Sequence, residues 1–213
     1  MRPKVILNCA ASADGKIALP NRHGLKISNE EDFERVHLLR NKYDAILVGI
    51  GTVVEDDPNL TINSKFKTAE NPVRIVLDTT CRIPITAKIL DGRSKTIVAI
   101  GEKTKANHLP NAEIIRCGTR EVNLPELLGK LSKKGIKSIL VEGGETVMWS
   151  FLKSELFDEF NIFVSSIIVG GKITPTIAGG EGTGKISDIL RLKLIDAQTL
   201  GDGILLKYSK SNN

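Results

Sequence analysis

The sequence predicts an α/β fold: one domain on a mixed, mostly parallel sheet with helices on both faces and an antiparallel hairpin at the carboxyl end. Three observations predict it. Apolar runs of strand length alternate with stretches of helical periodicity along most of the chain. Two of those runs end in glycine turns that lead straight into helix signals, at residues 48–61 (VGIGTVVEDDPNLT) and 140–146 (LVEGGET). The last two runs alternate around residues 200–203 (LGDG), a hairpin signal. At 213 residues, 41% of them hydrophobic, the chain can bury one sizeable core, so a single domain over residues 1–213 is expected.

Taken in order, residues 5–11 form an apolar run closed by Ser12, Asp14 and Gly15, a strand that opens into a polar turn. Ser28 and Glu31 make a capping-box pair ahead of Phe33, Val36 and Leu39, which share one helical face. Residues 45–48 and 73–77 are the next strands, the second followed by the polar run DTTCR, and residues 96–100 and 114–115 give two more. Pro125 opens a helix whose Leu127, Leu128 and Leu131 face the core until Gly135 stops it. Residues 138–141 and 160–164 are strands flanking a helix through Val147, Met148 and Phe151, and residues 190–197 and 203–208 form the hairpin. No repeat, low-complexity tract or linker interrupts the pattern.

Composition narrows the function classes. The net charge of +5 comes from 30 basic and 25 acidic residues scattered along the chain, and aromatics make up only 4%. Neither a basic groove nor a stacking platform follows, so no nucleic-acid partner is expected, and the basic excess fits anionic small ligands or an ordinary solvated surface. Cys9, Cys81 and Cys117 are odd in number and lack C-x-x-C spacing, which reads as reduced thiols. His23, His37 and His108 lie far apart, so no metal site is expected. The amino-terminal apolar run is interrupted at Asn8 and is too short for a secretory or spanning segment, so the expectation is a cytoplasmic protein without a membrane partner.

The chemistry concentrates in the two glycine turns. In open α/β sheets ligands sit beyond the carboxyl ends of strands, where both turns fall. Gly143 and Gly144 let backbone N–H groups approach an oxyanion at a helix start, a concavity that fits a pyrophosphate, although the same pair also serves a tight strand-to-helix turn. Glu142 just before them favours a ligand that is not all phosphate. Residues 179–185 (GGEGTGK) match the first part of a P-loop, but Ile186 stands where a Mg²⁺-binding Ser or Thr is required and Pro175 spoils the preceding strand. Gly49, Ile50 and Gly51 begin a dinucleotide fingerprint, yet Val54 stands where its third glycine belongs. A standard Rossmann domain is thereby disfavoured, while nucleotide binding on another sheet topology is not.

Four motifs in order carry a more specific resemblance: NCAASADGKIA, HLLRNKYDAILVGIGTVVEDDPNLT, NPVRIVLD and SILVEGGETV. Together they resemble the riboflavin-biosynthesis pyrimidine reductase family, whose fold is like that of dihydrofolate reductase, from about Val5 to Tyr208. The match is to the stand-alone archaeal and fungal reductases, since the deaminase domain fused to the bacterial enzymes has no counterpart here.

The resemblance implies roles residue by residue. Ala10, Thr52, Asp56, Thr79, Val141 and the turn Gly143, Gly144, Glu145 and Thr146 match positions that contact NADPH, with NADH also possible, and Val164, Ser165, Ser166 and Ile167 match the lining of the same site. Arg40, Leu60 and Glu142 match positions that hold the pyrimidine ribose phosphate. Asn8 stands where bacterial relatives carry Lys, and Asn63 where many relatives carry Arg, so both are assigned to the substrate and Lys65 or Lys67 is the expected substitute for that arginine. Arg82, just past a strand end, is the candidate for the adenosine 2′-phosphate. Without the resemblance, Arg40 reads as a partner for the helix dipole, Thr52 as a helix N-cap, Asp56 as a solvated helix end and Lys16 as a surface turn residue.

The implied reaction reduces a ribosylamino group to a ribitylamino group, with Glu142 as the catalytic-site carboxylate that positions sugar hydroxyls or ring amines. A homodimer is expected. Two other readings remain open at the level of sequence: a dihydrofolate-reductase-like enzyme acting on another heterocycle, and a phosphate-ligand-binding protein with no redox role.

Overall fold

The computed structural model describes residues 1–106 and 108–211. Their elements run β1 (Lys4–Ser12), α1 (Glu30–Arg40), β2 (Ala45–Gly49), α2 (Ile50–Asp56), β3 (Val73–Leu77), β4 (Thr96–Ile100), β5 (Ala112–Arg116), α3 (Leu124–Lys133), β6 (Ser138–Gly143), α4 (Glu145–Lys153), β7 (Glu159–Ser165), β8 (Leu192–Leu200) and β9 (Gly203–Lys210). The α/β class, the mostly parallel strands and the antiparallel carboxyl-terminal hairpin are as the sequence predicts. The chain divides into two compact units, one of residues 1–4 with 37–141 and one of Val5–Val36 with Glu142 onward.

In the first unit the strands lie in the order β5-β4-β3-β2-β6, with β2 through β5 parallel to one another. All five residues of β2 and all five of β4 are buried, which is why they read as continuous apolar runs rather than alternating ones. Val48, Val76 and Val98 from three neighbouring strands pack with Ile50 and Val53 of α2 and with Leu60 in one apolar cluster. Helix α3 starts as its sequence dictates: the Asn123 side chain accepts the Glu126 N–H at 2.9 Å, and Leu127, Leu128 and Leu131 are buried. Gly135, at φ +86°, reverses the chain beyond it.

In the second unit β1 pairs parallel with β7, and β9 pairs antiparallel with both β7 and β8. Helix α4 buries Val147, Met148, Phe151 and Leu152. The turn after β1 is stitched to the segment after β7: Ala13 N–H donates to the Ile167 carbonyl at 2.8 Å and Ile17 N–H to the Pro175 carbonyl at 3.0 Å. Asp14 accepts the Val169 and Gly170 N–H groups at 3.1 and 2.7 Å.

The start of α1 departs from expectation. Asn29, not Ser28, caps the helix, its side chain accepting the Asp32 N–H at 2.8 Å, while the Ser28 hydroxyl donates to Asp32 at 2.5 Å and the carboxylate of the exposed Glu31 lies against Gly201. Phe33 is 47% exposed, whereas Asp32 is fully buried and His37 nearly so. The inward stripe carries polar groups because each finds a partner, Arg35 closing on Asp32 at 2.7 Å. Thr52 is likewise not a cap: Gly49 holds the N-cap position of α2 and Thr52 lies inside the first turn.

The three thiols are free. Burial pushes Cys9 up to about 12 and Cys117 up to about 11, which suits inert structural thiols. Among the described residues no helix is long and apolar enough to cross a membrane, and no group of three or more His, Cys, Asp or Glu side chains could hold a metal ion.

Candidate active site

In the first unit, β2 runs through Gly49 into α2, and α2 ends at Asp57, a left-handed residue at φ 41° whose carboxylate accepts the Lys88 N–H at 2.8 Å. The chain then turns through Pro58 and Asn59 to Leu60, left-handed again at φ 47°. A cavity of about 290 Å³ opens on this loop, lined by His37, Arg40, Pro58, Asn59, Leu60, Thr61 and Asn63. Arg40, the last residue of α1, donates from Nη1 to the Thr61 carbonyl at 2.9 Å. His37, one turn earlier, accepts the Asn63 N–H on Nδ1 at 3.1 Å and stacks on Phe66 with ring centres 5.7 Å apart.

This cavity brings together three residues assigned to the substrate from sequence: Arg40, Leu60 and Asn63. The Asn63 side chain accepts the Lys65 N–H at 3.0 Å and so caps its own turn. Lys65 holds its ammonium 5.1 Å from the centre of the Phe66 ring, and neither it nor Lys67 lines the cavity. His37 and Asn59 are wall residues that the sequence reading missed. His37 had a usable signal, since it stands three residues before Arg40 and therefore on the same face of α1.

The strand register Gly49↔Leu77 places Thr52 and Thr79 just past the carboxyl ends of adjacent parallel strands. Thr79 is locked there: its hydroxyl accepts the Val122 N–H at 3.3 Å, and its carbonyl accepts the Gly101 N–H at 3.0 Å and the Thr104 hydroxyl at 2.7 Å. Asp56 is exposed at the end of α2, and Arg82 is exposed in the turn after β3, where Cys81 is left-handed at φ 58°.

In the second unit, the β6–α4 turn is built by glycine. Gly143 sits at φ +138°, a conformation side chains rarely adopt, with open space where a Cβ would project. Gly144 is the N-cap of α4 and supplies no side chain to its first turn. Val141 is buried and Glu142 half-buried just before this turn, and Thr146 is exposed just after it. Glu145 has partners of its own, Arg22 at 3.0 Å and the Thr176 N–H at 3.2 Å.

The register Ala11↔Val164 and Ser12↔Ser165 sets Ala10 and Val164 to Ile167 at the carboxyl ends of paired parallel strands. The Ser166 hydroxyl donates to the Asp202 carbonyl. Asn8, two residues before Ala10 and so on the same face of β1, is 5% exposed, and its side-chain oxygen has no partner among the described residues.

These geometries can be set against known proteins. The model of the RibD C-terminal domain family matches residues 3–206. The 2,5-diamino-6-ribosylamino-4(3H)-pyrimidinone 5′-phosphate reductase of Methanothermobacter thermautotrophicus is 39% identical to this chain, over 98% of it and 99% of that protein. The protein of the same name from Archaeoglobus fulgidus is also 39% identical, over 95% and 96%. Among solved structures, the Thermotoga maritima diaminohydroxyphosphoribosylaminopyrimidine deaminase/5-amino-6-(5-phosphoribosylamino)uracil reductase is 29% identical with a TM-score of 0.85, and the likeness spans 99% of this chain but 57% of that one. The riboflavin biosynthesis reductase Rib7 of Saccharomyces cerevisiae, 22% identical with a TM-score of 0.78 over 99% and 90% of the two chains, shares the fold.

Proposed function

The chain belongs to the RibD C-terminal domain family, and from that premise we propose that it reduces 2,5-diamino-6-ribosylamino-4(3H)-pyrimidinone 5′-phosphate in riboflavin biosynthesis, turning the ribosylamino group into a ribitylamino group. The whole chain acts as one reductase domain, in the cytoplasm and as a homodimer. The observation that carries the reading is the cavity that gathers Arg40, Leu60 and Asn63, the positions matched to the sugar phosphate, around a single concave wall. The exposed apolar side chains of β8, Leu194 at 52% and Ile195 at 55%, support association with a second copy.

When bound, a nicotinamide dinucleotide, NADPH in preference to NADH, would supply the hydride that adds at C1′ of the open-chain sugar imine, whose nitrogen takes up one proton as the C=N double bond becomes single. The residues present fit such a group: Gly143 leaves open space beside its backbone, and no side chain caps the first turn of the nine-residue α4, a helix start of the kind that suits a pyrophosphate. The positions matched to the dinucleotide are Thr52, Asp56, Thr79 and Val141 in the first unit and Ala10, Gly143 to Thr146 and Val164 to Ile167 in the second. Arg82 meets the adenosine 2′-phosphate. Arg40 pairs with the dianionic 5′-phosphate through its planar fork. Asn8 and Glu142 take the ring amines and sugar hydroxyls, and Glu142 positions the reacting carbon rather than moving a proton. Most of the rate comes from placement and water exclusion.

The test is the absorbance of the reduced cofactor with the ribosylaminopyrimidine phosphate as substrate. Cofactor oxidation upon substrate addition is the expected result. Cofactor binding without oxidation would instead favour a reductase of another heterocycle, a reading the departure at Asn63 keeps open.

A further inference from the structure

Two arginines grip Asn59, in the wall of the cavity, by different atoms. Arg74, the second residue of β3, is fully buried and donates from Nη1 to the Asn59 carbonyl at 3.3 Å. Arg93, whose side chain is 61% exposed, donates from Nη2 to the Asn59 side-chain oxygen at 3.0 Å. One carboxylate, Asp91, joins the pair: its Oδ1 accepts from Arg74 at 3.0 and 3.1 Å, and its Oδ2 accepts from Arg93 at 2.5 Å. Arg74 is completed by the Ser94 carbonyl at 2.7 Å and the Thr96 hydroxyl at 3.1 Å.

Stability alone does not account for this arrangement. A guanidinium in a buried strand position, flanked by Val73 and Ile75, carries a desolvation cost that a well-packed apolar side chain would avoid. The segment it reaches is also strained: Asp57 and Leu60, on either side of Pro58 and Asn59, are left-handed at φ 41° and 47°. Non-glycine residues hold that conformation only when their surroundings enforce it. Two residues beyond Asn59, the carbonyl of Thr61 is the one Arg40 binds.

We propose that Arg74, Asp91 and Arg93 form a positioning clamp that fixes the strained loop 57–63, so that Leu60, Thr61 and through it Arg40 are set for the phosphate of the substrate. The inference rests on the function proposed above and adds residues to it. None of the three touches the reacting atoms. Two cations around one anion also leave one net positive charge beside the cavity, which favours an anionic ligand.

The exposed arm of the clamp allows a test in the folded protein. Arg93→Ala is expected to raise KM for the pyrimidine phosphate about tenfold, leaving kcat and the KM for the reduced cofactor nearly unchanged, and Asn59→Ala, in the cavity wall itself, to raise the same KM at least as far. The double variant should be no worse than the poorer single one, because both changes remove the same contact. Arg74→Met, which keeps the volume without the charge, should show the same KM effect. Calorimetry with ribose 5-phosphate as the probe should show its affinity weakened by a similar factor. If the wild-type enzyme turns over and the variants keep its KM, the clamp is wrong. If the wild type does not turn over yet binds ribose 5-phosphate more tightly than Arg93→Ala does, the clamp stands and the proposed reaction fails. Failure of the wild type to do either overturns both.

Discussion

Arg40 Nη1 lies 2.9 Å from the carbonyl oxygen of Thr61, so the cation assigned to the substrate phosphate is tied directly to the loop that forms the cavity wall. That bond engages one N–H of a five-donor guanidinium. The side chain is therefore pre-oriented, which lowers the ordering cost of binding.

Replacing Arg40 should accordingly act on substrate affinity. Charge-assisted hydrogen bonds contribute about 1.5–3 kcal/mol each, so Arg40→Ala should raise KM for the pyrimidine phosphate roughly 10- to 100-fold. Arg40→Lys keeps the charge but loses the planar fork, and should fall between the two. Steady-state kinetics decide it, and a lysine variant equal to wild type would show that charge alone matters.

Glu142 is half-buried at the end of β6, one residue before the glycine turn. If it positions the sugar and ring, Glu142→Gln should leave the cofactor Kd unchanged and lower kcat by about 10²-fold, the scale of a small misplacement of the reacting carbon. Fluorescence titration with the reduced cofactor, run beside the turnover assay, separates the two effects. Lost cofactor affinity would remove Glu142 from the substrate side of the site.

Arg82 is exposed in the turn past β3, three residues beyond Thr79. Because its proposed partner is present in NADPH and absent from NADH, Arg82→Ala should erase most of the preference between them, by raising KM for NADPH alone. A tenfold change corresponds to about 1.4 kcal/mol, within reach of one exposed phosphate contact. An unaltered ratio of the two kcat/KM values would exclude this residue.

How much of this was legible in the sequence depends on the range of the interactions involved. Strand β4 matches its predicted span because it is an unbroken run of small and apolar residues, and β3 matches despite Arg74 because Pro72 and Asp78 bound it; LGDG made the hairpin legible, although its strands run 192–200 and 203–210 rather than 190–197 and 203–208. The cap of α1 was misjudged because Ser28 and Asn29 are both good caps. The choice between them turned on the burial of Asp32, which no local pattern reveals. Arg40 and Leu60, which line one cavity, were assigned through the family motif and not through spacing. His37 was passed over as a lone histidine, and the grip on Asn59 was invisible because it joins residues 15 and 34 positions apart in the chain.

The turn after β1 provides a pH-dependent tie. Asp14 is exposed, yet its carboxyl is held down to about 2 from an ordinary 3.8, first by the Ser12 hydroxyl at 2.6 Å and then by the Val169 and Gly170 N–H groups. A pKa depressed in the folded state means that the ionised form is favoured by folding. Its contribution is complete above the ordinary value and fades as pH falls toward and through about 2. Carboxyl-detected NMR should therefore show Asp14 titrating near 2 and Ser12→Ala moving the midpoint upward. Exchange of the Val169 and Gly170 amides should quicken, relative to a reference peptide at the same pH, over that interval and not above it. A midpoint at the ordinary carboxylate value, or protection of those amides that persists once Asp14 is protonated, would mean that the turn is held by its backbone bonds to Ile167 and Pro175 alone.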